Sequence, residues 1–410
     1  MIKKENLKKY VDLALNIGVN LQKNQILVIM SSVETADFTR LLVEKAYLLG
    51  ASEVIVHWSD DFCKKMTFTY GEKNIFEEMP NWQVESLMYY ANKGAAFLSI
   101  AASDPELLSG IDGEKIGTYQ KTRGQALKPY YDKIMVNELQ WNIISVPTLP
   151  WAKKIFPNLN DEEAISSLWE AIFKSTKVDT ENPVETWKNH LNTLKEKMDY
   201  LNKKQFEKVV ITNSLGTNLT VKLPQNHIWA SGKDVTQSGV EFVANIPTEE
   251  VFSMPHKYGV DGIVYASKPL NYGGTLIEDF SLTFKDGKII DFSAKAGYEA
   301  LKNLISIDEG AKYLGEIALV PFDSPISNLG ILFFNTLFDE NASCHLAIGQ
   351  AYSSCIENGD KLSPEEMEEV GMNDSLTHVD FMFGTRDLSI IGFEKNGNSE
   401  NVFINGNWAE

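Results

Sequence analysis

The chain has 410 residues, of which 43% are hydrophobic and 23% charged, and its formal net charge is −18 at pH 7. That length exceeds one ordinary core and predicts two domains of soluble, globular composition. The acidic balance, with no dense Lys/Arg run, excludes a nucleic-acid partner and an anionic membrane surface, both of which call for clustered positive charge.

In chain order, residues 7–17 carry a helical apolar period that Gly18 stops. Residues 25–30 (QILVIM) form a nearly continuous apolar run, the pattern of a strand buried on both faces. Residues 35–49 read as a helix with Gly50 as its C-terminal stop. Strands follow at 54–56, 95–101 and 141–146, with helices at 82–92 and 115–136. This alternation predicts an α/β domain with a mostly parallel sheet. Residues 151–205 are helical and highly charged, and from about 206 the texture changes. Segments 209–212 and 219–221 flank a hairpin turn at 213–216, and further strands are expected at 262–265, 281–284 and 288–292, with Asp286-Gly287 turning between the last two. The expected division is a 1–205 α/β domain followed by a 206–410 α+β domain that carries the chemistry.

Cys63, Cys344 and Cys355 are odd in number and show no CxxC spacing, which fits a reducing, cytoplasmic location. The N-terminal residues lack the apolar core of a signal peptide, and no run reaches the roughly 18–20 apolar residues that span a bilayer. The glycosylation-like triplets at Asn218, Asn341 and Asn373 are therefore read as chance. There is no GxGxxG after the first strand, no P-loop, no HExxH and no GxSxG, so nucleotide-binding, zincin and serine-hydrolase readings lose their usual support.

The six histidines can be weighed one by one. His57, His190, His227 and His256 read as structural or merely exposed side chains. His378 and Asp380 lie two apart in a strand-like run (THVDFMFG), so they project from one face. A neutral imidazole beside a carboxylate suits a divalent metal, and a plain His–Asp hydrogen bond is the competing account. His345 falls in DENASCHLAIGQAY, where Asn341 reads as the cap of a following helix that would put His345 and Tyr352 on one face, with Glu340 turned toward the same point. Glu249 and Glu250 follow Pro247 in an otherwise apolar segment, and Glu316 precedes a hydrophobic strand-like run. A carboxylate in such surroundings is costly unless it is paired or bound to metal.

Taken together and in this order, NIPTEEVF from Asn245, LGEIALVP from Leu314, ENASCHLAIG from Glu340 and HVDFM from His378 closely resemble the thermophilic-type metalloaminopeptidases, the family of aminopeptidases T and S and PepS. The resemblance covers nearly the whole chain. It implies a cytoplasmic homodimer that removes N-terminal residues from peptides with two divalent metal ions per chain, zinc, cobalt or manganese. Carried over by motif position, it implies Glu250, Glu316, Glu340, His345, His378 and Asp380 as metal ligands, with Tyr352 and Glu250 as catalytic groups. Either Glu249 or Glu250 would be the ligand of that pair, and Glu250 or Glu316 would handle the proton. The runner-up is an iron-dependent dioxygenase of the dihydroxypyridine type, in which His345, His378 and Asp380 would hold one iron. Glu250, Glu316 and Glu340 are surplus to such a site and favour two hydrolytic metals.

Overall fold

A computed structural model describes residues 3–409, apart from the side chain of Asp360. The chain divides into two compact units. The first runs to His190 and resumes over Lys233–Pro247, and the second comprises Leu191–Gly232 and continues from Thr248.

The first unit is built on a four-stranded parallel sheet with β1 at Ile26–Ser32, β2 at Glu53–Ser59, β3 at Ala96–Ile100 and β4 at Trp141–Ile144. The spatial order is β2-β1-β3-β4, and every pairing is parallel. Helices Ala36–Leu48, Asn81–Ala91 and Gly113–Met135 connect the strands, as the apolar periods predict, and a further helix at Asp61–Tyr70 was not anticipated. Val28, Phe97, Leu87, Leu127 and Leu139 pack together as one of the unit's apolar clusters.

The expected single boundary at 205/206 is replaced by a discontinuous one. The reason is an unfilled edge on β4. Ile143 donates its N–H to Ala244 O (2.8 Å) and accepts from Ile246 N (3.0 Å), and the Asn142 amide donates to Val243 O at 2.8 Å. Residues 243–246 thereby satisfy the outer side of β4, which would otherwise leave its backbone groups unpaired.

The second unit is β-rich. An eight-stranded antiparallel sheet contains the hairpin of Lys208–Thr212 with Asn218–Lys222 and the hairpin of Ser281–Lys285 with Lys288–Ser293, both with the turns foreseen from Asn213-Ser214-Leu215-Gly216 and Asp286-Gly287. A five-stranded sheet consists of β5 (Ala230–Ser231), β6 (Val251–Ser253), β7 (Leu314–Leu319), β8 (His345–Gly349) and β9 (His378–Met382), in the order β9-β8-β7-β6-β5. Within this unit the core joins Val209, Ile211, Leu282 and Phe403 to Ile317, Leu346, Ile348 and Phe381.

Candidate metal centre

Residues paired directly across antiparallel strands project from the same face of a sheet. Phe252, Ala318, His345 and Met382 therefore form one row across β6, β7, β8 and β9, and Glu316, Ala347 and Asp380 form the next. His378 stands opposite Gly349. Ile317, Leu319, Leu346, Ile348 and Phe381 alternate with these residues and point into the core. The acids and imidazoles thus stand among Ala318, Ala347 and Gly349, whose small side chains leave room on that face. Gly349 has a further reason to lack a side chain: its φ is +106°, and a Cβ would come within 2.1 Å of Thr377 O.

His345 lies on a strand, which corrects the expected helix after Asn341. All five residues of β8 are buried, and a strand buried on both faces gives an apolar run that periodicity cannot separate from a buried helix. Asn341 sits in a short 3₁₀ turn, Glu340–Ala342. Its Oδ1 accepts from Glu249 N at 2.7 Å, and its amide donates to Leu337 O (3.0 Å) and Glu340 Oε1 (3.4 Å). This asparagine ties the chain leading to Glu250 to the turn carrying Glu340. Tyr352 follows β8 in a loop, with its ring centroid 4.8 Å from that of His378.

The acid–histidine contacts are short. His345 Nε2 lies 3.2 Å from Glu250 Oε2 and 3.5 Å from Glu316 Oε1, and His378 Nε2 lies 3.4 Å from Glu316 Oε2 and 3.3 Å from Asp380 Oδ1. His378 Nδ1 is 2.7 Å from Gln350 O and His345 Nδ1 is 3.3 Å from Ser343 O. Each Nδ1–H is spent on a carbonyl, which leaves each Nε2 for the cluster, the arrangement that orients a ligating imidazole. Donor atoms of Glu250, Glu316 and His345 fall within 4.8 Å of one another, as do those of Glu316, His378 and Asp380. Glu250, and not Glu249, is the member of the acidic pair brought into these groups. Among the described residues His57, His190, His227 and His256 belong to neither group, and neither does Glu340. Phe383, two residues beyond Phe381 on the same core-facing side, is fully buried in the core.

The electrostatics show what the cluster lacks. Burial would lower the pKa of both histidines, but carboxylates at 3.2–3.5 Å raise both well above the imidazole range, so protons are drawn onto the rings. Burial also works against the charge on Glu316, yet hydrogen bonding and attraction to His345 and His378 bring it down to about 2. Glu250 moves up because burial outweighs its contact with His345. Glu340 moves well up through burial and repulsion by Asp380 and Glu250. Even with Glu340 protonated, three carboxylates stand against two imidazolium rings, and Asp380 Oδ1 is buried with only the His378 ring beside it. Protons are a poor remedy for such a deficit. Imidazole nitrogens and carboxylate oxygens converging on shared points are a donor set for divalent cations, and these residues fit one.

Residues 3–408 match the family model of the thermophilic metalloproteases, M29. The chain belongs to that family. It is 48% identical to aminopeptidase AmpS of Bacillus subtilis over 405 residues, covering 99% of this chain and 98% of that one. Its fold matches the structure of wild-type AmpT from Thermus thermophilus with a TM-score of 0.94 at 39% identity, covering 99% of this chain and 100% of the other. The structure of a 2,5-dihydroxypyridine dioxygenase from Pseudomonas putida is similar at a TM-score of 0.53 and 12% identity over 99% and 96% of the two chains, which is a likeness of fold alone. The family member described here is a metal-dependent peptide hydrolase of the aminopeptidase type and takes a divalent metal cofactor.

The structure brings Glu250, Glu316, His345, His378 and Asp380 together, and the groups that orient them have weaker signals in the sequence. Gln350 acts through its backbone carbonyl, which has no side-chain signature. Asn341 was read as a helix cap, although it is fully buried and bridges two acidic segments. Asn373 looked like a chance modification triplet and is instead fully buried, donating to Gly310 O and Gly349 O at 2.9 and 2.6 Å.

Proposed function

We propose that the chain is a dinuclear aminopeptidase whose two divalent ions share Glu316. The observation that carries this reading is the placement of Glu316 between two histidines: Oε1 faces His345 at 3.5 Å and Oε2 faces His378 at 3.4 Å. A carboxylate whose two oxygens address separate imidazoles is suited to bridging. Glu250 and His345 would complete one ion's donors, and His378 and Asp380 the other's. Glu340, which burial and repulsion by Asp380 and Glu250 keep protonated in the metal-free cluster, would join them once cations are bound. When bound, the ions supply Lewis acidity that activates water and polarises the scissile carbonyl.

The remaining chemistry falls to the chain's own groups. Burial and four neighbouring carboxylates raise the Tyr352 hydroxyl well above its ordinary pKa, so it stays protonated and can donate a hydrogen bond to the developing oxyanion. Of the two acids considered for proton transfer, Glu250 is the better suited. Glu316 would be committed to both ions in this reading, which leaves Glu250 freer to carry a proton. The substrate's free amino group would bind a metal ion or an acidic side chain, which accounts for removal of residues from the amino end.

The test pairs metal analysis with hydrolysis of leucine p-nitroanilide and its N-acetylated form. Two zinc, cobalt or manganese ions per chain are expected, with chelator-sensitive release from the free-amine substrate only. Release from the acetylated substrate at an equal rate would overturn the exopeptidase reading. One iron per chain and no release would favour an oxygenase.

A further inference from the structure

Of the cluster's two histidines, His378 is the less supported by its own strand. It is the first residue of β9, and β9 is an edge strand paired only with β8. His345, by contrast, lies on β8 with β7 and β9 on either side. Leu376, two residues before His378, is 84% exposed and gives no apolar anchor at that point.

Hydrogen bonds hold the last residues before His378, and those of Ser375 and Leu376 converge on Asp308. Asp308 Oδ1 accepts from Ser375 Oγ at 2.8 Å and from Ala311 N at 2.7 Å, and Oδ2 accepts from Leu376 N at 2.6 Å. Ser375 N donates to Gln350 Oε1 at 2.7 Å, and Gln350 N donates to Thr377 O at 2.7 Å. Gln350 O is the acceptor that orients the His378 ring. The turn after Asp308 is shaped for this contact, because a Cβ on Gly310 would come within 1.9 Å of Asp374 O. Burial opposes the charge on Asp308, yet the donors from Leu376, Ser375 and Ala311 hold its carboxyl below the ordinary carboxylate range.

We infer that Asp308 is a positioning residue for the His378 half of the metal centre, acting through Ser375 and Gln350. The inference rests on the proposed ligand set, and it makes the two ion positions unequal. The position shared by Glu316, His378 and Asp380 depends on the Asp308 network, whereas none of these hydrogen bonds reaches Glu250 or His345. Outer hydrogen bonds that orient a ligating imidazole are typically worth about 10- to 100-fold in metal affinity.

The experiment titrates chelator-stripped full-length protein with cobalt(II), following heat and the visible absorption of the bound ion. Wild type is compared with Asp308→Asn, which keeps the shape but loses charge and an acceptor, and with Ser375→Ala, which removes one link and spares the turn. The expected result is a roughly 10- to 100-fold weakening of one binding step in Asp308→Asn, a smaller loss in the same step for Ser375→Ala, and an unchanged other step. Equal weakening of both steps, or of neither, overturns the positioning role. A single ion per wild-type chain would defeat the dinuclear reading by itself. In that case a weaker single step in Asp308→Asn sustains the role of Asp308 at His378, and an unchanged one ends it.

Discussion

Replacing Glu316 by Gln keeps the shape of the side chain and removes the charge at the centre of the cluster. Glu316 is only 5% exposed, and its pKa falls from 4.5 to about 2 because the attraction of the two histidines overcomes burial. At about 1.4 kcal/mol per pH unit, this corresponds to about 3 kcal/mol of stabilisation of the metal-free fold. The sign follows from the depressed folded value: the contribution is fully present above 4.5 and is lost as pH falls toward 2. Chelator-treated Glu316→Gln should therefore unfold in urea at a lower midpoint than chelator-treated wild type at pH 7, and the gap should narrow below pH 4.5. The same substitution removes the shared ligand, so uptake of both ions should weaken and kcat/KM should fall at least about 100-fold, the equivalent of a few kcal/mol of Lewis-acid stabilisation. Equal or greater stability of the stripped variant at pH 7 would refute the reasoning, since repulsion among the acids would then outweigh attraction to the imidazoles.

Other outcomes can be checked with the same protein. Ala at His345 or at His378 should abolish activity and weaken binding at that histidine's own ion position while circular dichroism stays close to wild type, and full activity in either variant would sink the ligand assignment. Tyr352→Phe should lower kcat by about 100-fold, within the range found for loss of one oxyanion donor, with metal content and KM little changed. The neighbouring carboxylates raise both histidine pKa values in the metal-free protein, so cation binding near neutral pH must displace protons and apparent affinity must fall as pH falls. Calorimetry in two buffers of different ionisation enthalpy should give binding heats that differ by the protons released, and identical heats would contradict this.

Much of the fold was legible in the chain. QILVIM reads as a doubly buried strand and became the inner strand β1. The two-residue spacing of His378 and Asp380 correctly placed both on one face of a strand, 3.3 Å apart. His345 was legible as a candidate ligand but not as a strand residue, because full burial on both faces erased the alternation that would distinguish β8 from a helix. The return of residues 243–246 to the first unit could not be foreseen, since what recruits them is the open edge of β4, and only tertiary structure creates that edge. Asp308 gave no signal either. Its role depends on the N–H and hydroxyl donors of residues more than sixty positions away, and no local pattern records that.

The same returning segment has a consequence for how the chain is made. β4 ends at Ile144, but the residues that cover its outer edge end at Pro247. At a synthesis rate of about 5–20 residues per second, the ribosome needs on the order of 5 to 20 s to supply them. Throughout that interval the nascent first unit carries an uncapped strand, a ready template for pairing with another emerging copy. A recombinant fragment ended before residue 243 would keep that edge open permanently. A fragment begun at 206 would carry Val243 and Ile246, both buried in the intact chain, without the strand they cover.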